Sequence, residues 1–215
     1  MFDAVDPIEA VNAVAREVRT GERDGKPTRL VVARRTYRAD RADVWDALTS
    51  PKRLPRWFLP VSGNLEPGGT YQLEGNAGGR IERCDAPSDL SVTWEFGGGL
   101  SWLDVHLSDD GAGTRLELVH EAPVDPEFWG QFGPGAVGIG WDSALFGLDL
   151  HVTGGEDVDQ AEAEKWAVGP VGVRFSTIAG EAWGAAAIAD GDDPEAANAA
   201  AANAIRFFTV PPENA

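Results

Sequence analysis

Apolar residues first recur at helical spacing near the start of the chain. Ile8, Val11, Val14 and Val18 fall on one face behind Asp6, a capping residue, and Pro7. Residues 21–27, GERDGKP, read as a linker. Residues 28–37 predict a first strand, and its run Leu30, Val31, Val32, Ala33 implies burial on both sides at the start. Asp40 then stands where a helix N-cap belongs, and Val44, Trp45 and Leu48 form an apolar stripe. Pro51 stops that helix, and a second short helical piece ends in Trp57 and Phe58. A helix pair cut short in this way is expected to cross the mouth of a curved sheet.

From residue 61 the pattern changes to period two. Turn signals at 68–69, 76–79, 86–89, 97–99 and 109–113 separate five or six short strands, spaced as in an antiparallel meander. Alternation assigns their faces. Tyr71 and Leu73, then Val92, Trp94 and Phe96, then Leu103, Val105 and Leu107, then Leu116, Leu118 and His120 share the concave side. Thr93, Glu95, Asp104 and Glu117 turn to water. Such a sheet needs a cover, and residues 132–152 supply it: Val137, Trp141, Ala144, Leu145 and Leu148 repeat at helical spacing, with the helix starting near Gly135. Five glycines in this segment each cost a helix about 1 kcal/mol relative to alanine. Close packing against the sheet is the plainer explanation for them, and flexing to admit a ligand is the alternative.

Beyond Gly154 and Gly155 the chain turns acidic and alanine-rich. Helices are expected over 157–167, 175–189 and 194–208, with Trp166, with Ile178, Ala182 and Trp183, and with Ala201, Ile205 and Phe208 as their apolar contacts. Their narrow faces predict packing on the sheet, on the long helix or on a second copy of the chain. The expected organisation is an N-terminal helix and linker over 1–27, a sheet domain over 28–154 and a helical extension over 155–215. The fold class is α+β.

The 215 residues are 43% hydrophobic and 25% charged, which suits a globular domain that buries about 70% of its unfolded surface. A formal net charge of -17, from 35 acidic and 18 basic side chains, disfavours nucleic acid and anionic lipid as partners. No apolar run of membrane-spanning length occurs, and MFDAVDPIEA lacks the regions of a signal peptide, so a cytoplasmic location is expected. The single cysteine, Cys84, rules out an internal disulfide and reads as a strand residue.

The stretches VWDALTSPKRLPRWF, QLEGNAGGRIERCDAP, LSVTWEF, TRLELVHEAP and FGPGAVGIGWD resemble the SRPBCC superfamily, and within it the bacterial proteins named after the activator of Hsp90 ATPase, homologue 1. The resemblance covers residues 28–152. It implies a helix-grip fold, also called START-like or Bet v 1-like: a curved antiparallel sheet around a long C-terminal helix, with a hydrophobic cavity between them. Members bind lipids, hormones and polyketides, and a minority catalyse cyclisation or hydrolysis. Activation of Hsp90 is not expected, because the N-terminal segment carries no asparagine- and tryptophan-containing motif of the eukaryotic cochaperone.

Catalytic signals are sparse. His106, His120 and His151 have no metal-ligand spacing, so neither metal nor cofactor is expected. His120 alone should face the cavity and is a weak acid/base candidate; Ser101 and Ser143 have no recognisable partner. The glycine-rich pieces at 97–99 and 133–140 lack the Lys-Ser/Thr of a phosphate loop. Glu74, Glu82, Glu95 and Glu117 read as strand residues that pair with Arg80, Arg83 and Arg115 on the wet face. Aromatic residues carry the stronger signal: Trp57, Phe58, Tyr71, Trp94, Phe96 and Trp141, with Leu118, His120 and Leu145, would line a pocket. The leading reading is non-catalytic binding or sequestration of a small hydrophobic molecule, in detoxification or stress response. A cyclase- or hydrolase-type enzyme using the same pocket and an interaction module with a filled core are the alternatives. A homodimer through the C-terminal helices is the expected protein partner, if any.

Overall fold

The computed structural model describes residues 4–111 and 113–210. The remaining positions fall at the ends of the expected first and last segments and inside the 109–113 turn, and lie outside the described residues. Asp6 accepts from the amides of Ile8 and Glu9 and caps α1, Pro7–Asn12, as the Asp-Pro pair predicts. The helix ends there. Val14 and Val18 do not continue it, because residues 15–23 form β1, Ala15–Arg23, paired with β2, Lys26–Tyr37. The expected linker at 21–27 is the hairpin joining them. Asp24 and Gly25 both take positive φ, 51° and 74°, as a two-residue hairpin turn requires.

After α2, Arg41–Thr49, and a short 3-10 turn over Leu54–Arg56 come β3, Val61–Gly63; β4, Thr70–Leu73; β5, Gly78–Asp85; and β6, Asp89–Phe96. Then follow β7, Gly99–Asp110, and β8, Gly113–Pro123. All eight strands form one antiparallel sheet in the order β1-β2-β8-β7-β6-β5-β4-β3. A register shift between Ile81 and Arg83 in β5 adds local bend to the sheet. The remaining helices are α3, Pro126–Phe132; α4, Gly135–Val152; α5, Gln160–Ala167; α6, Pro170–Ala189; and α7, Pro194–Thr209. The helix-grip arrangement is present, with α4 lying across the concave face.

Helix α4 is largely buried because it is covered on both sides, by the sheet and by the helices that follow it. Its glycines do not meet the sheet, as the plainer sequence reading had it. They receive the extension. A Cβ at Gly138 would sit 2.4 Å from the Trp183 ring on α6, and one at Gly135 would sit 2.8 Å from the Ala204 methyl on α7. The extension thus packs on the long helix, and α6 also reaches α1 and β1. Arg29 of β2 pairs with Asp190 and Asp192 beyond the end of α6 and lies 4.4 Å over the Trp129 ring.

Buried charge fixes α4 against the sheet. Asp142 and Asp149 stand seven residues apart, two helical turns. Arg16 of β1 approaches Asp142 at 3.1 Å, and Arg35 of β2 pairs with Asp149. Trp183 Nε1 donates to the same Asp142 Oδ2 at 2.9 Å, and Tyr37 donates to Leu145 O at 3.1 Å. The wet-face ion pairs differ from those expected. Glu117 pairs with Arg34, Arg83 pairs with Asp85 and Asp89, and Glu74 lies past the end of β4.

Candidate functional site

Between the concave face and α4 lies a cavity of about 160 Å³. The sheet wall is built by the alternation read from sequence: Tyr71, Val92, Trp94, Val105 and Leu118 point inward from β4, β6, β7 and β8. From α4, positions 141, 144, 145 and 148 complete the opposite wall. Leu54, Trp57 and Phe58 close the mouth, where the short helical pieces were expected to cross. Trp57 is buried and donates its indole N–H to Ala47 O at 3.0 Å, and Phe58 stacks on it with ring centroids 5.4 Å apart. The fold thus brings Trp57, Phe58, Tyr71, Trp94, Leu118, Trp141 and Leu145 around one space.

Phe96 is not among them. Its side chain is 60% exposed at the end of β6, beside the turn at Gly97 and Gly98, where the strand has run past the cover of α4. Alternation correctly names a face but does not tell how far along a strand the cover extends.

His120 is also set apart. It is buried and does not line the cavity, although its ring packs beside Trp94 and Trp141, which do. Trp141 Nε1 donates to His120 Nδ1 at 2.9 Å, and Ser101 Oγ lies 2.9 Å from His120 Nε2. An indole N–H can only donate, so Nδ1 must hold the lone pair and the neutral ring must carry its proton on Nε2. Nε2–H then donates to Ser101, and Ser101 passes its own proton to Trp94 O at 3.0 Å. Burial holds the imidazole neutral and pushes its pKa down to about 4. The ring centroids of Trp94, His120 and Trp141 lie 5.1 to 6.0 Å from one another. Ser101 therefore has a histidine partner that the sequence did not reveal, but the proton runs from histidine to serine, the reverse of nucleophile activation.

The cavity is chemically uniform. No lining residue is charged, and Cys84 contributes its thiol to the wall. Four polar hydrogens around it are already donated inside the protein: Trp57 to Ala47 O, Tyr71 to Thr93 O, Trp141 to His120, and Thr49 to Trp45 O. The other histidines have unrelated partners. His106 meets Asp89 at 2.9 Å on the wet face, and His151 accepts from Arg53 Nε at 3.1 Å.

Asp142 is the functional-looking residue that the sequence reading missed. Its carboxyl is buried, with Oδ1 unpartnered, and burial pushes its pKa up to about 6 against the pull of Arg16 and Trp183. An aspartate directly after Trp141 in a largely apolar helix was the available signal.

Comparison with known proteins agrees with this geometry. The family model described as "Activator of Hsp90 ATPase homolog 1-like protein" matches residues 38–152. The crystal structure of CalU16 from Micromonospora echinospora is 32% identical and superposes with a TM-score of 0.65 over 81% of this chain and 98% of its own. The solution structure of the same protein gives 0.70 over 83% and 97%. DynU16, a protein of the dynemicin biosynthetic locus, shares the fold at 19% identity and a TM-score of 0.55, over 60% of this chain and 48% of its own. No match is found among curated proteins.

Proposed function

The chain belongs to the Activator of Hsp90 ATPase homolog 1-like family, and on that premise we propose that it binds and sequesters a small, neutral, hydrophobic molecule without transforming it. The observation that carries this reading is the composition of the cavity wall, mostly aliphatic and aromatic with no charged group among the described residues. An ionised ligand group placed there would lose its hydration and find no counter-ion. A flat apolar molecule meets an aromatic wall that includes Trp57, Trp94 and Trp141. The reference to Hsp90 in the family's description plays no part in the argument.

A cyclase- or hydrolase-type reading has less support. His120 would have to accept a proton at Nδ1, the atom already engaged by Trp141, and its depressed pKa makes it a poor base near neutral pH. The His120–Trp141 bond serves instead to tie α4 to the sheet at one end of the cavity.

The size of the cavity bounds the affinity. An aromatic ring system burying about 200 Å² gains about 5 kcal/mol from apolar burial before the cost of association. Micromolar binding corresponds to about 8 kcal/mol. A single ring in this space therefore binds weakly. Trp94→Ala should lower the affinity for a neutral aromatic probe several-fold or more, measured by titration calorimetry, with the denaturation transition retained. Unchanged affinity would remove Trp94 from the site.

A further inference from the structure

A second apolar space, a groove of about 200 Å³, adjoins the cavity. Its floor is the side of α4 that carries Gly140, Ser143 and Gly147, and its far wall is Val158, Gln160 and Ala163 at the start of the extension. Trp57, Phe58 and Ala144 belong to both spaces. Ala144 offers only a methyl group, so the two stacked rings are the partition. Trp57 is anchored by its bond to Ala47 O, whereas Phe58 is half-buried and its ring makes no polar bond, so Phe58 is the leaf free to turn. The outer wall is fastened to this same segment: Val158 N donates to Arg56 O at 2.7 Å, and Gln160 Nε2 donates to Phe58 O at 2.6 Å.

We propose that the ligand occupies both spaces, with a ring in the cavity against the Trp94–Trp141 pair and a flexible neutral arm passing Phe58 into the groove beneath α5. Three observations carry this. The cavity alone matches the size class of an engineered space of about 150 Å³ that takes up benzene. Most small-molecule sites enclose about 300 to 1,000 Å³, so the ring space by itself is small for a dedicated site. The two spaces share Trp57, Phe58 and Ala144 as common lining.

The groove also specifies the end of the arm. Ser143 Oγ gives its hydrogen to Ile139 O, and Gln160 gives its amide nitrogen to Phe58 O. Ser143 therefore retains an acceptor oxygen, and Gln160 an acceptor oxygen and a second amide hydrogen. The matching end is an uncharged hydrogen-bonding group, a hydroxyl or an amide. Ser143 lies within residues 38–152 and Gln160 beyond them, so the groove joins the segment matched by the family to the extension.

The inference rests on the binding role proposed above, and the experiment separates the two. Toluene and a series of ω-phenylalkanols, lengthened one methylene at a time, are titrated into the full-length protein by calorimetry. Affinity is expected to rise about three- to fourfold per methylene until the groove is filled. Ala163→Leu, which fills the groove without touching the ring space, is expected to abolish that rise and leave toluene binding intact. In the wild-type protein, intermolecular NOEs should connect the alkyl chain to the Ala163 and Val158 methyls, a readout that does not depend on the variant folding. Toluene binding with no gain along the series, or a gain that Ala163→Leu does not alter and that shows no such NOEs, would overturn the two-compartment site and leave the binding role standing. Failure of every probe to bind would overturn both.

Discussion

The proton arrangement at His120 makes a quantitative prediction about pH. In the unfolded chain an imidazole titrates near 6.5, whereas in the fold burial lowers His120 to about 4. The folded pKa is depressed, so the neutral ring contributes stability that is present above pH 6.5 and lost as pH falls toward 4. Over the full window the loss is about 3 kcal/mol, from the difference between about 6.5 and about 4. Between pH 7 and pH 5 it is about 2 kcal/mol. Asp142 acts with the opposite sign. Its folded pKa is raised to about 6, so its contribution is present below the unfolded value near 3.9 and lost as pH rises through 6. The wild-type profile is thus a partial cancellation, and the His120 contribution appears only by difference. In His120→Gln, urea unfolding followed by tryptophan fluorescence should show a drop between pH 7 and pH 5 smaller than that of wild type by about 2 kcal/mol. Equal drops in the two proteins would refute the burial argument.

Gly138→Ala tests how the extension docks. The new methyl would lie 2.4 Å from the Trp183 ring, and overpacking of this kind costs about 1 to 3 kcal/mol, read as a lower denaturation midpoint at unchanged slope. Arg35→Met strands Asp149 between α4 and the sheet and should cost about 3 to 5 kcal/mol, most of it recovered in the double variant Arg35→Met with Asp149→Leu. No recovery in the double variant would show that Arg35 acts through its packing.

The sheet was legible because one face is dry. Period-two alternation placed Tyr71, Trp94, Leu103 and Leu118 correctly, and the approach of Pro134 and Gly135 marked the start of α4. The N-terminal hairpin was obscured because Val11, Val14 and Val18 also satisfy helical spacing. The discriminating signal was Asp24-Gly25, a two-residue pair whose positive φ angles belong to a hairpin and not to a linker. Seven of the nine wall candidates line the cavity. Phe96 failed because a strand can outrun its cover, and His120 because an inward-facing residue at the end of a wall can be consumed by its neighbours. The buried pairs of Arg16 and Arg35 with Asp142 and Asp149 join residues more than 100 positions apart, beyond the reach of any local pattern. The glycines of α4 carried their meaning in the partner they receive, which only the placement of α6 and α7 discloses.

The central claim is that the space between α4 and the sheet holds a neutral hydrophobic molecule. Native mass spectrometry of gently purified protein tests it most directly. The account predicts a discrete extra mass that organic solvent extracts, that is reduced in Trp94→Ala, and that carries no ionisable group. A bare chain mass that stays bare after exposure to a panel of neutral apolar compounds would contradict it.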